Sequence, residues 1–140
     1  MSYVAFSSRI KTTMETLGSL KKVYDYEPKN PEGFPFCSIL PVDGGDTAKD
    51  SCDNETVYTF RVQILDDMAS EQVTREEIET RMREVADSTL LLFREKNLFL
   101  PEGGLFHIVK NNSFKYVERE GGYSRVFEVL IEIKEFNELT

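Results

Sequence analysis

The chain has 140 residues, enough for one domain with a hydrophobic core of its own. Hydrophobic residues make up 40% and charged residues 30%, which is typical of a globular protein and excludes a wholly disordered chain. The 25 Asp and Glu against 17 Lys and Arg give a formal net charge of −8, which argues against a protein whose main task is to hold a nucleic acid backbone. No apolar stretch approaches the roughly 20 residues that cross a bilayer, so we expect no membrane partner.

The two cysteines give no sign of a metal or redox site. Cys37 and Cys52 fit neither a zinc-binding spacing nor a C-x-x-C motif, and we interpret them as unrelated thiols in a reducing compartment. The first residues lack the charged and apolar regions of a signal peptide. A cytosolic origin is therefore expected.

Residues 3–21 are predicted to form a helix because apolar residues recur on one face. Those residues are Ile10, Met14, Leu17 and Tyr24. The region is locally basic, and its cations are Arg9, Lys11, Lys21 and Lys22. Three prolines and a glycine within residues 25–35 predict a loop, and residues 36–40 are predicted to be a short strand.

Residues 42–54 are predicted to be a long polar hairpin arm between two strands. The arm is acidic, with Asp43, Asp46, Asp50 and Asp53. Their spacing does not match a calcium-binding loop of the EF-hand type, which needs alternating ligands, a central glycine and a closing glutamate. We therefore interpret the arm as a solvated loop and expect no metal site.

Residues 55–66 show the clearest strand pattern in the first half. Tyr58, Phe60, Val62 and Ile64 alternate with Thr59, Arg61 and Gln63. This period of two predicts one buried side and one side that meets either water or a partner.

The best-marked helix is predicted over residues 75–95. Thr74 and Glu77 have the spacing of a capping box, and Val73 and Ile78 that of a hydrophobic staple. Beyond it, residues 105–110 are a predicted strand, and residues 113–118 are either another strand or its continuation across Asn111 and Asn112. A turn at 120–122 and a long strand at 123–134 follow. The order helix–hairpin–helix–hairpin predicts an α+β two-layer sandwich, in which two helices pack on one face of a mainly antiparallel sheet.

Residues that could carry chemistry fit no catalytic or cofactor-binding motif. His107 is the only histidine and has no motif around it, and Glu118, Glu120 and Glu128 are interpreted as chance neighbours among many acidic residues. The Gly-Gly pairs are not phosphate-binding loops. An aromatic group near lysines is interpreted as packing rather than a nucleic acid site, and its members are Tyr3, Tyr24, Tyr26, Phe34 and Phe36. We predict a protein that is not an enzyme and needs no cofactor.

The order of elements resembles the tail-terminator proteins of long-tailed bacteriophages. The resemblance rests on four features of the sequence. They are the N-terminal helix followed directly by a Pro/Gly-rich loop (9–35), the polar arm (43–54), the strand at 58–66 followed by the capped helix from Thr74, and the closing strand at 123–133. It implies a structural virion protein that caps the tail tube as a hexameric ring. The implied partners are copies of itself, the tail-tube protein and a head-completion or neck protein, and DNA would pass through without specific binding. Assembly would take place in the host cytoplasm.

A ring of identical subunits needs two different patches that fit each other. The candidate subunit interface comprises Arg9, Lys11, Asp43, Asp46, Asp50, Asp53, Thr59, Arg61 and Gln63. We hypothesise that the basic first helix and the acidic arm help to orient neighbours. Two alternatives stay open from the sequence: a small ligand-binding or enzymatic α+β domain with a pocket between helices and sheet, and another adaptor of the head–tail neck.

Overall fold

The computed structural model describes residues 3–42, 55–68, 73–95, 105–119 and 122–136, which form two helices and five strands. In chain order they are α1 (Tyr3–Met14), β1 (Lys22–Tyr24), β2 (Phe36–Pro41), β3 (Glu55–Asp67), α2 (Arg75–Glu95), β4 (Leu105–Arg119) and β5 (Gly122–Phe136). The α+β class predicted from the sequence is confirmed.

The five strands form one sheet in the order β1-β2-β3-β5-β4. The pairs β2–β3, β3–β5 and β4–β5 are antiparallel, and β1 pairs with β2 in parallel. The two predicted hairpins are therefore present, and their central strands β3 and β5 join them along thirteen residue pairs that include Phe60 with Ile131. The sheet is mainly antiparallel, as predicted.

The main core lies between one face of the sheet and both helices. The sheet contributes Val23, Cys37, Ile39, Phe60, Val62, Ile64, Phe127, Val129, Ile131 and Ile133. The helices contribute Phe6, Ile10, Met14, Ile78, Met82, Val85, Ala86 and Phe93. Both helices pack in the same hydrophobic cluster as residues from one face of the sheet. The molecule therefore has two layers, as expected from helices and strands that are each apolar on one face.

The first helix is shorter than predicted, because it ends at Met14 rather than near residue 21. Thr13 and Thr16 each donate a side-chain hydrogen bond to a carbonyl three or four residues earlier, which competes with regular helix continuation. Lys21 N then donates to Pro35 O at 2.8 Å, and the chain enters β1. Tyr24 therefore lies in a strand that the sequence did not predict, and not on the helix face.

The second half matches its prediction. Residues 113–118 continue the strand of residues 105–110, one of the two alternatives left open by the sequence, and this single strand β4 is interrupted by a bulge between Val109 and Asn112. Arg119 pairs with Gly122, whose φ of 149° is a conformation that residues with a side chain rarely adopt. The turn between β4 and β5 therefore favours glycine at this position.

The second helix has the bounds that were predicted. Thr74 Oγ1 accepts a hydrogen bond from Glu77 N at 3.2 Å, which is the first half of the capping box. Val73 packs against the cluster that contains Ile78, as expected for the staple. In the part of the chain that the structure describes, neither helix is long and apolar enough to span a membrane.

Candidate subunit interface

The side of the sheet that faces away from the helices carries the predicted interface residues of β3. We call this side the open sheet face. Its central residues are Leu40, Thr59, Arg61, Gln63, Lys110, Lys115, Glu128, Leu130, Glu132 and Lys134. Thr59, Arg61 and Gln63 lie here because their neighbours Phe60, Val62 and Ile64 point into the core, as the alternation predicted.

Glu128 lies at the centre of this face and is held by three side chains from the two neighbouring strands, β3 and β4. Arg61 Nε lies 2.6 Å from Glu128 Oε1, and Gln63 Nε2 donates to the same oxygen at 3.1 Å. Lys115 Nζ donates to Oε2 at 3.1 Å. The Glu128 side chain is only 15% exposed, and these contacts compensate its carboxylate for the water that it loses.

Glu132 lies four residues further along β5 on the same face and has a similar environment. Lys110 Nζ lies 3.1 Å from Glu132 Oε2, and Lys134 Nζ lies 3.8 Å from Oε1. The side chains of Arg61, Lys110 and Lys115 stay 44%, 50% and 40% exposed. Four cations thus contact two carboxylates in this cluster.

The sequence did not predict this charged cluster, because the alternation within β3 alone places only Thr59, Arg61 and Gln63 on this side. The pairs Gln63–Glu128 and Thr59–Glu132 exist only through the register of β3 with β5, and Lys110 and Lys115 come from β4. A prediction of the strand order would have been needed to find the cluster.

One end of the open sheet face is apolar and covered. Tyr24, Phe36, Leu65 and Val126 form a second buried cluster, against which Phe34 packs. Ser38 Oγ donates to Tyr26 O, and Glu32 N donates to Tyr24 Oη, so residues of the 25–35 loop are tied to this end. The aromatic group is a packing cluster, as expected. Tyr3 is the exception, because it lies apart from the group and packs edge-on against Tyr58, with 4.9 Å between the ring centres.

The other candidate interface residues are not on the central part of the open sheet face. Arg9 and Lys11 are half-buried on α1, in the helix layer on the opposite side of the molecule. Asp43, Asp46, Asp50 and Asp53 lie outside the described residues, in the segment between β2 and β3. The last described residue before that segment is Val42, whose N donates to Thr59 O at 2.9 Å. Of the candidate residues that the structure describes, Arg9 and Lys11 therefore lie apart from Thr59, Arg61 and Gln63.

A second charged cluster joins the start of α2 to the sheet. Asp66 is fully buried, and its two carboxylate oxygens accept hydrogen bonds from Arg81 Nε and Nη2. This hydrogen bonding raises the pKa of the Arg81 guanidinium, while burial acts in the opposite direction. The pair fixes the helix to the end of β3, which is a structural role.

Next to it, Arg125 is stacked between a carboxylate and aromatic rings. Its Nη2 donates to Glu79 Oε2 at 3.4 Å, and its Nε lies 2.7 Å from Oε1 without hydrogen-bond geometry. The guanidinium lies 4.3 Å from the centre of the Tyr116 ring and 5.4 Å from that of Phe114. Both rings are exposed at the β4 edge of the sheet.

An open groove of about 430 Å³ adjoins these rings at the start of α2. It is lined by Met68, Arg75, Tyr116, Gly122 and Tyr123. None of these lining residues is a carboxylate, a histidine, a serine or a cysteine, which are the usual nucleophiles and bases. The groove can hold an apolar or aromatic group, and the five lining residues that the structure describes present no catalytic pair.

Among the remaining candidates for chemistry, Glu118 and Glu128 are the two whose side chains the structure describes. His107 pairs in register with Ile133, and its side chain lies outside the described residues. Glu118 and Glu128 lie on opposite faces of the sheet, and Glu120 is outside the described residues. Among the residues that the structure describes, no group of acidic, cysteine and histidine side chains could hold a metal ion.

No protein-family model matches the chain, and no curated protein matches its sequence. Solved structures do match its fold. A chain from the virion of a native gene transfer agent particle is similar with a TM-score of 0.65 and 21% identity, over 96% of this chain and 99% of its own. A second solved structure has a TM-score of 0.56 and 15% identity over 98% and 94% of the two chains. The fold is therefore shared over nearly the full length with a chain of a phage-like particle.

Proposed function

We propose that the protein is a structural component of a phage-type virion, which caps the tail tube as an oligomeric ring and joins it to the head or neck. The observation that carries the proposal is the full-length likeness to a chain of a gene transfer agent virion. The resemblance of the sequence to tail-terminator proteins points the same way. Nothing in the proposal requires a cofactor or a catalytic residue.

The surface of the molecule is compatible with assembly into a ring. A closed ring of identical subunits uses contacts between two different patches. The open sheet face and the helix layer with Arg9 and Lys11 lie on opposite sides of a two-layer domain. Thr59, Arg61 and Gln63 are the residues of β3 that a neighbour on the open sheet face would contact.

The other proposed partners follow from the place of a tail terminator in the particle. One rim of the ring would bind the tail-tube protein, and the other would bind a head-completion or neck protein. DNA would pass through the ring without specific binding, and a net charge of −8 on each chain disfavours adhesion of phosphate groups. An adaptor elsewhere in the neck would differ in which of these partners it binds.

The oligomeric state of the purified chain tests this proposal. Native mass spectrometry and negative-stain electron microscopy should show closed rings, with six times the 16.1 kDa mass of one chain for a hexamer. The rings should bind to the ends of isolated tail tubes of the same phage. A chain that stays monomeric at high concentration and binds no tail tube would contradict the proposal.

The groove beside Tyr116 and Tyr123 supports a second candidate, a small ligand-binding domain. A ligand of this site would be apolar or aromatic and would contact Arg75. Screening by protein-observed NMR, with Tyr116→Ala as the variant that removes part of the groove wall, would separate the two functions. Specific binding by a monomer would favour the ligand-binding domain over the ring.

A further inference from the structure

The groove at the start of α2 combines aromatic rings with a cation. Tyr116 and Tyr123 are 58% and 57% exposed, and Met68 adds an apolar wall. Arg75 is exposed beside them and pairs with no carboxylate among the residues that the structure describes. Aromatic rings favour another ring packed edge-on or offset, and a guanidinium favours a carboxylate. The groove therefore suits an aromatic side chain that lies next to a carboxylate.

Carboxylates near the groove do not neutralise this cation. Glu79 accepts a hydrogen bond from Tyr116 Oη at 3.3 Å, but its charge is paired with Arg125. Three further carboxylates are close in sequence or in strand register: Glu76, Glu77 and Glu118. None of these is among the described residues that line the groove, so Arg75 is the charge that a bound group would meet there.

One described segment of the chain has the matching chemistry. The large exposed apolar side chains away from the groove and the β4 edge are Val4, Tyr26 and Leu91. Val4 and Leu91 have uncharged neighbours in sequence. Tyr26 is 57% exposed and lies between Asp25 and Glu27, which are both exposed. We call residues 25–27 the acidic tyrosine loop, and its charge is complementary to that of the groove.

The acidic tyrosine loop is held in place before any contact forms. Ser38 Oγ donates to Tyr26 O at 2.9 Å, and the rings of Tyr24 and Tyr26 meet edge-on with 5.4 Å between their centres. The loop is thus tied to β1 and β2, which hold Tyr24 and Ser38. Binding such a loop costs little conformational entropy, because it is already ordered.

The loop and the groove lie at opposite edges of one sheet. The loop follows β1, whereas the groove adjoins β5 and β4, which are three and four strands away in the order β1-β2-β3-β5-β4. At about 4.8 Å per strand, the separation is about 14–19 Å across the sheet alone. A loop that is tied to β1 and β2 does not reach the groove of its own chain.

We propose that the acidic tyrosine loop of one copy binds in the groove of a neighbouring copy. The Tyr26 ring packs against the rings of Tyr116 and Tyr123, and Asp25 and Glu27 present carboxylates to Arg75 of the neighbour. Two different patches at opposite edges form a head-to-tail contact, which is the kind that a closed ring requires. The proposal rests on the ring function above and names a contact between its subunits.

Photo-cross-linking tests the contact directly on the full-length protein. p-Benzoylphenylalanine in place of Tyr26 keeps an aromatic group at this position and inserts into nearby C–H bonds on irradiation. In a mixture of ¹⁴N- and ¹⁵N-labelled chains, mass spectrometry distinguishes links between chains from links within one chain. We expect links between chains to the peptides that contain Met68, Tyr116 or Tyr123.

A charge swap gives a second measurement. In D25K/E27K, and separately in R75E, sedimentation velocity should show self-association weakened by about tenfold or more, because like charges then face each other. The chain that combines all three substitutions should recover association to within about threefold of the wild type. The control E84K/D87K reverses two exposed carboxylates of α2 outside the groove and should associate like the wild type. Circular dichroism of each variant checks that the fold is kept.

The outcomes separate this inference from the ring function. Rings that persist unchanged in both D25K/E27K and R75E would overturn the inference and leave the ring standing. Links from position 26 that avoid the groove, or that stay within one chain, would overturn it as well. A groove that captures the tail-tube protein, with association between copies unaffected by R75E, would assign the groove to that partner. A wild-type chain that never associates would overturn both proposals.

Discussion

At the scale of single residues, Asp66 is the buried charge on which the junction of helix and sheet depends. Its carboxylate holds the Arg81 guanidinium and also accepts a hydrogen bond from Asp67 N at 3.0 Å. We expect Asp66→Asn to lower the free energy of unfolding by about 2 kcal/mol, because it leaves a partly buried cation without its counter-charge. Chemical denaturation would measure the loss.

The matched control for this change is Asp87→Asn on the exposed side of α2. Removal of that carboxylate should alter the free energy of unfolding by no more than about 0.5 kcal/mol. Equal effects of the two substitutions would show that the Asp66–Arg81 pair does not stabilise the junction.

Cys37 gives a second prediction at this scale. It is fully buried, and burial raises the pKa of its thiol far above the ordinary value, because the charged thiolate is disfavoured away from water. We expect iodoacetamide to leave Cys37 unmodified in the native protein at pH 8 and to modify it after unfolding in guanidinium. Peptide mapping by mass spectrometry checks this, and rapid native labelling of Cys37 would contradict the packing described for β2.

At the scale of elements, the helices and strands whose apolar residues recur on one face were predictable from the sequence. The helix α2 and the strands β3 and β5 follow their periodicity, because each buries one face. The three-residue strand β1 was missed, since its pairing with β2 depends on the path of the loop and not on a pattern of its own. The bulge in β4 was likewise invisible, because a bulge shifts the alternation that identifies a strand.

The cap of α2 provides a prediction at this scale. Thr74 accepts the hydrogen bond from Glu77 N that would otherwise be unmade at the helix start. We expect Thr74→Ala to lower the free energy of unfolding by about 1 kcal/mol, whereas Thr74→Ser, which keeps the hydroxyl, should stay within a few tenths of a kcal/mol. Thermal and chemical denaturation of the two variants would measure the difference, and an equal loss in both would point to packing of the threonine methyl group instead.

At the scale of the whole molecule, the candidate interface was predictable in its position but not in its charge. The alternation in β3 placed Arg61 and Gln63 on the side opposite the core, and the structure confirms that side. The cluster around Glu128 depends on the order β3-β5-β4, which brings together residues more than sixty positions apart in sequence, such as Gln63 and Glu128. No periodicity within a single segment carries that information.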